Sequence, residues 1–236
     1  MIDTVWNILK SGAVVNFFLV ILGGGFGMLL RSGIPEKIRD TLMKGMAFCV
    51  MYIGISGLFE DNINPLIVVI STGIGAVLGE VIDIDRWVNR LGQKIEDRFS
   101  RGSSGIAEGF VSATLLFCVG AMTVVGSIDS GISGDNTTLY SKSVIDCIAG
   151  AVLASAMGVG VPLAAIPVLI IEGGLTVLAS FVEPILTDRI IAHMSVIGSM
   201  LIIAIAFNML DLGKTRVKVM NLLPSVFLPM LFCLFM

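Results

Sequence analysis

Eight stretches of this chain, at roughly 13–30, 43–59, 64–83, 109–127, 143–161, 162–182, 194–212 and 219–236, are apolar enough to be read as membrane-crossing helices. A hydrocarbon core of about 30 Å takes about 20 largely apolar residues in helical form. Within it every backbone N–H and C=O must find its partner inside the protein, which leaves helices or a closed barrel. The expected fold is therefore all-α: a polytopic membrane protein of about eight transmembrane helices, with the lipid bilayer as its first partner. The composition agrees, since the 236 residues are 56% apolar and 14% charged and the mean hydropathy is +0.97, well outside the range of soluble domains.

The few charges are not spread evenly. With the N-terminus outside, the inner side receives Arg31, Lys37, Arg39, Lys44, Arg86, Arg90, Lys94, Arg98, Arg101, Lys214, Arg216 and Lys218, while Lys10, Lys142 and Arg189 stay outside. That bias follows the tendency of basic residues to remain cytoplasmic and places both termini outside. The first run is followed at once by Arg31, so it is expected to be a retained span rather than a leader. Between the third and fourth runs, Ile84, Trp87, Val88, Leu91, Ile95 and Phe99 recur at helical spacing with charges on the other face. This predicts a short helix on the inner membrane surface, followed by the hinge SRGSSG.

Polar chemistry concentrates between Leu115 and Asp146, in LLFCVGAMTVVGSIDSGISGDNTTLYSKSVID. Candidate ligands for a small solute there are Cys118, Thr123, Ser127, Asp129, Asp135, Asn136, Lys142, Ser143 and Asp146, joined by Asn16 in the first span and Glu172 in the sixth. The stretch is read either as a binding centre, expected to be a polar loop over 127–142, or as an ordinary solvated connection. Lys142 and Asp146, one turn apart, are either an outer-gate salt bridge or a surface i,i+4 pair. Glu172 falls near the middle of its span, where a charge costs several kcal/mol, so it needs a partner, a cavity or a proton. It is expected to couple proton movement to transport or to be a protonated group hydrogen-bonded to a neighbouring helix.

The chain also echoes itself. LGGGFGMLLRSGIP overlies IEGGLTVLASFVEP, pairing Gly24 with Gly173, Gly25 with Gly174 and Pro35 with Pro184, and further on Gly45 with Gly198 and Pro65 with Pro224. Spans one to three and six to eight then form copies of opposite insertion, an inverted 3+2+3 repeat with spans four and five as a central hairpin. Inverted repeats are typical of transporters that bind solute where the copies meet. The implied organisation is a first repeat over 1–83, an inner-surface helix and hinge over 84–105, the hairpin over 106–161 and the second repeat over 162–236. Small-residue faces on spans one, three and five suggest close helix packing, within one chain or in a homodimer.

Other chemistries find little support. Cys49, Cys118, Cys147 and Cys233 show no metal or redox spacing, and His193 is the lone histidine. GGGFG lies inside a span rather than after a strand, and SIDSGISGD lacks the nucleophile-elbow spacing. No enzyme and no cofactor are expected. The dispersed basic residues and a net charge of −3 exclude a nucleic-acid partner.

Several segments are similar to one known family. FVSATLLFCVGAMTVVGSIDSGISGD, LYSKSVID, Asn16 ahead of GGGFG, LRSGIPEKIRDTLMKG, MSVIGSMLIIAIAFNML and VMNLLP resemble the YqgA/YdfK type of bacterial multi-pass membrane protein, domain of unknown function 554. The resemblance covers nearly the whole chain. It implies a bacterial inner-membrane transport protein without a defined substrate or catalytic residues. Asn16, Cys118, Gly120, Gly126, Gly131, Gly134, Asp135, Lys142, Ser143 and Asp146 match the family pattern, and Glu172 matches less well. The expected function is alternating-access transport of a small polar or charged solute or ion. A channel and a non-transporting scaffold or sensor are the alternatives.

Overall fold

The computed structural model describes residues 11–31, 35–90, 106–118, 120–182, 186–211 and 216–233, and the regular structure among them is helical. In chain order it comprises α1 (Gly12–Arg31), α2 (Glu36–Ser56), α3 (Pro65–Ile82), α4 (Ile106–Cys118), α5 (Ala121–Ile132), α6 (Thr137–Met157) and the single turn α7 (Gly160–Leu163). There follow α8 (Ala165–Val182), α9 (Asp188–Leu210), a 3-10 segment (Val219–Val226) and the short α10 (Pro229–Phe232). Among the described residues five segments are long and apolar enough to span a bilayer: α1, α3, α6, Gly160–Ala179 and α9. The bent pair α4–α5 makes a sixth where it is counted as one span. The helix α2 is 21 residues long, but it opens on Glu36, Lys37, Arg39 and Asp40.

Two expectations about the middle of the chain are corrected. The run at 109–127 is not one straight span, because Ile106–Cys118 and Met122–Ile132 are bent by 58° relative to each other. The residues 127–142 are not a loop either: α5 continues to Ile132 and α6 begins at Thr137, leaving a four-residue connection over 133–136. Three serines of this stretch and its edge satisfy their hydroxyls by bonding back along the chain. Ser133, Ser141 and Ser143 each donate a hydroxyl to the carbonyl four residues back, at 2.7, 3.0 and 2.6 Å. The tight reversal around 160–162 is present. The helix α6 stops at Met157, Gly158 turns the chain with φ +83°, and Pro162 lies inside α7.

Contacts fix the relative directions of the helices. Gly12, Gly23 and Gly27 of α1 meet Leu139, Cys147 and Ala151 of α6 in the same order, so these two helices run parallel. Gly24 meets Pro162 while Asn16 meets Glu172, so α8 runs antiparallel to α1. The short connection makes α5 antiparallel to α6, and therefore parallel to α8, against which Gly131 packs at Thr176 and Ala179. Pairings of α2 with α9 and of α3 with the 3-10 segment complete the bundle.

One pole gathers Arg31 beside Gly158, Arg216 paired with Glu108 at 2.9 Å and Lys218 paired with Glu80 at 2.5 Å. Lys218 is held above the usual lysine range, chiefly by its hydrogen bond to Glu80. At the other pole His193, fully buried, joins α9 to the start of α3. Its Nδ1 donates to the Arg189 carbonyl at 2.6 Å and its Nε2 accepts the Asn64 N–H at 2.9 Å. Residues 84–90 are helical, with Val88 buried and Trp87 exposed. The remainder of the expected inner-surface helix and the SRGSSG hinge, Pro184 of the repeat match, and Lys10, Lys94, Arg98, Arg101 and Lys214 of the charge bias lie outside the described residues.

The closest helix pair, α1 with α6, depends on missing side chains. A Cβ on Gly23 or Gly27 would run into the backbone of Cys147 or Ala151, whereas one on Gly25 would meet nothing. Gly23→Ala is expected to cost about 1–3 kcal/mol through overpacking, and Gly25→Ala to be neutral or to stabilise by about 0.5–1 kcal/mol. Thermal unfolding of the two purified variants measures the contrast.

Candidate functional site

Helix α6 carries Lys142 and Asp146 one turn apart on its buried face, enclosed by α1 and α8. Asp146 is nine residues from the helix start, roughly 13 Å along the axis at 1.5 Å per residue. This corrects the reading of the pair as a surface bridge: side-chain exposures of 8% and 7% place both inside the bundle. Lys142 also loses its place among the outer flanking charges.

The ammonium of Lys142 is shared. It bonds the Asp146 Oδ2 and stands 3.1 Å from Glu172 Oε1, on α8, which is fully buried. From α1 the fully buried Asn16 points its amide nitrogen at the same acids, donating to Asp146 Oδ2 at 2.9 Å and to Glu172 Oε1 and Oε2 at 2.9 and 3.1 Å. Three charged side chains taken singly would cost roughly 8–10 kcal/mol at the middle of membrane helices. Pairing and a shared amide donor make their burial possible. With both acids ionised, two carboxylates against one ammonium leave one negative charge uncompensated.

The other expected ligands divide into two groups. Cys118 lies within electrostatic reach of Lys142, Asp146 and Glu172 at the end of α4. Thr123 is buried, and its hydroxyl donates 3.1 Å to the Phe117 carbonyl, serving the backbone where α4 ends. Ser127 is fully buried with a hydroxyl that has no partner among the described residues, and Ser143 spends its hydroxyl on Leu139. Asp129, Asp135 and Asn136 stand away from the cluster. Asp135 is exposed and receives the Thr137 N–H at 2.9 Å and hydroxyl at 2.6 Å; the hydroxyl above all holds its carboxyl below the usual range. Asn136 Oδ1 takes the Gly12 N–H at 2.7 Å and the Ser130 hydroxyl at 2.7 Å, tying the start of α1 to the 133–136 turn.

Two cavities meet near the bend. One of about 370 Å³ is lined by Lys142, Asp146, Thr123, Ser199 of α9 and Gly57 after α2. The other, of about 290 Å³ and nearly all apolar, is lined by Cys118, Val124, Leu175 and Met194 among others. Gly120 and Ser195 border both. Sequence reasoning found Glu172 and inferred a partner for it, but missed that Lys142 is that partner, and missed Ser195 and Ser199. The available signal was the apolar company of Lys142, with Leu139, Val144 and Ile145 close by in the same helix.

Apolar spanning helices enclosing a charged cluster define a polytopic helical membrane protein. The chain matches the family model "Protein of unknown function (DUF554)" over residues 11–234, and it belongs to that family. It is 31% identical over 221 residues to the "Uncharacterized membrane protein YdfK" of Bacillus subtilis (strain 168), covering 92% of this chain and 93% of that one. Over 224 residues it is 29% identical to the "Uncharacterized protein YqgA" of Escherichia coli (strain K12), covering 93% and 94%. No solved structure matches the chain.

Removing one partner of a buried ion pair strands the others, so Lys142→Met is expected to destabilise the fold by about 3–5 kcal/mol. Adding Glu172→Gln to that variant should recover much of the loss, because it removes one of the stranded charges. Chemical denaturation of the single and double variants measures this coupling.

Proposed function

We propose that this protein is a transporter of a small polar or charged solute in the bacterial inner membrane. The observation that carries the reading is the buried Asn16–Lys142–Asp146–Glu172 cluster, which links α1, α6 and α8 beside a cavity and a bent helix pair. Charges are retained inside membrane bundles where they handle solutes or ions, and discontinuous helices commonly line such sites. No catalytic residue is assigned.

In this reading the chain crosses the membrane eight times, with both termini outside and α2 and the segment 219–233 counted as spans. The repeats are residues 1–83 and 162–236, with 84–105 as the inner-surface element and 106–161 as the hairpin between. The helix pairings support it. Exchanging α1 with α8, α6 with α5, α2 with α9, and α3 with the 3-10 segment leaves the principal pairing scheme unchanged. The antiparallel course of α1 and α8 is the one inverted copies require. Collection of Arg31, Arg216 and Lys218 at one pole supports the orientation. Open space beside Gly25 and Gly73 is compatible with a homodimer packed through small-residue faces.

Alternating access then consists of rocking the repeats about the cluster, with Glu172 and Asp146 coupling solute movement to a cation. The test is charge displacement in proteoliposomes on a solid-supported membrane, screened against amino acids, organic acids and inorganic ions. A saturable, solute-dependent current that falls at least tenfold in Glu172→Gln is expected. Continuous ion flux far above carrier turnover would make the protein a channel, and no solute response with intact protein would remove transport altogether.

A further inference from the structure

The cluster holds more oxygen than its ammonium can satisfy. Asn16 directs its amide nitrogen at both carboxylates, and its fully buried Oδ1 has no partner among the described residues. Ser127 Oγ is a second orphan. Its height in the bundle follows from register: α5 and α8 run parallel with Gly131 against Thr176, so Ser127, one turn earlier, is about level with Glu172, one turn before Thr176. The C-terminus of α4, whose last carbonyls lack intrahelical donors, ends at Cys118 within electrostatic reach of the same acids. Its dipole adds negative potential there.

Two carboxylates, an amide oxygen and a hydroxyl form an oxygen donor set with a net negative charge, which suits a hard cation. Lys142 is itself a monovalent occupant, so a monovalent cation takes its place without changing the charge between the two acids. Among the described residues no group of three or more His, Cys, Asp or Glu side chains could hold a metal. We propose that Asn16, Ser127, Asp146 and Glu172 form a site for a monovalent, sodium-sized cation, in which the Lys142 ammonium is a tethered occupant that the cation displaces. Two positive charges a few ångströms apart between the same acids repel, so the occupants exclude each other. Lys142 also lines the 370 Å³ cavity, which gives the released ammonium somewhere to go. This names the coupling ion of the transporter reading and rests on that reading only for its physiological use.

The experiment is thermal unfolding of the full-length protein in detergent, titrated with sodium chloride against choline chloride at constant ionic strength and pH. Wild type is expected to show a saturable rise in melting temperature with sodium and none with choline. Lys142→Met, which removes the competitor, should bind sodium at least tenfold more tightly. Ser127→Ala, which leaves the lysine and both acids in place, should bind at least fivefold more weakly. Equal responses to sodium and choline in wild type, or a midpoint unmoved by Ser127→Ala, overturns the site. Should Lys142→Met fail to fold even in sodium, wild type against Ser127→Ala still decides. Sodium binding without solute-driven current would leave this site standing and remove the transporter reading; solute currents with no sodium binding would do the reverse.

Discussion

One ammonium shared between two carboxylates, deep in an apolar bundle, is the constraint around which the helices are arranged. Lys142 and Asp146 come from α6, Glu172 from α8 and the bridging amide of Asn16 from α1. Each is tolerable there only if the other three are in place, since a stranded charge in the membrane interior costs several kcal/mol. That requirement sets how closely the helices approach. Glycines at 23 and 27 bring α1 onto the α6 backbone, and Gly131 does the same for α5 on α8. Asn136, receiving the Gly12 N–H, fixes the longitudinal register at which Asn16 reaches the acids. Glycine packing and polar pairing are thus two parts of one arrangement: the first supplies the distance, the second the specificity.

The bend between α4 and α5 is the other departure from ideal spans, and it lies where the arrangement needs it. A continuous helix would hide its carbonyls in its own hydrogen bonds. Ending α4 at Cys118 exposes a negatively polarised terminus toward the cluster, with Thr123 taking the Phe117 carbonyl. The same bend separates a polar-edged cavity from an apolar one, both bordered by Gly120 and Ser195. A side chain at Gly120 would meet no atom within reach, so this glycine is not there to avoid a collision with a neighbour.

Hydropathy revealed the class of fold and most helix positions because apolar length is a local property: α1, α3, α6, α8 and α9 all lie where long apolar runs predict them. The bend escaped notice because 109–127 is uniformly apolar, and a break in backbone direction leaves hydropathy unchanged. The stretch at 127–142 misled for the opposite reason. Serine, threonine, aspartate and glycine favour turns by composition, but here serines satisfy their hydroxyls by bonding back along the helix, as Ser141 and Ser143 do. Among the site residues, Glu172 was legible from its own cost in a span. The role of Lys142 was not, because whether a lysine at a helix end faces water or folds inward depends on what the neighbouring helices bring to it. Asn136, expected as a ligand, turned out to anchor the register of α1, a contact across 124 positions that no local pattern encodes.

Charge parity links the cluster to its use. Two acids and one lysine form an odd set, neutral only when one acid holds a proton or a second cation joins them. A protein rocking between states must at some point close its cavity over that set, and closing low-dielectric walls around a residual charge is opposed by desolvation. Closing around a compensated one is not. With a monovalent cation between the acids and the ammonium turned to the 370 Å³ cavity beside Asp146, the two acids, the cation and the lysine together sum to zero. Occupancy of the acids and the charge presented to the cavity then change together. In the proposed transport reading, solute and ion are coupled through one side chain that has two places to be, with no communication over distance required.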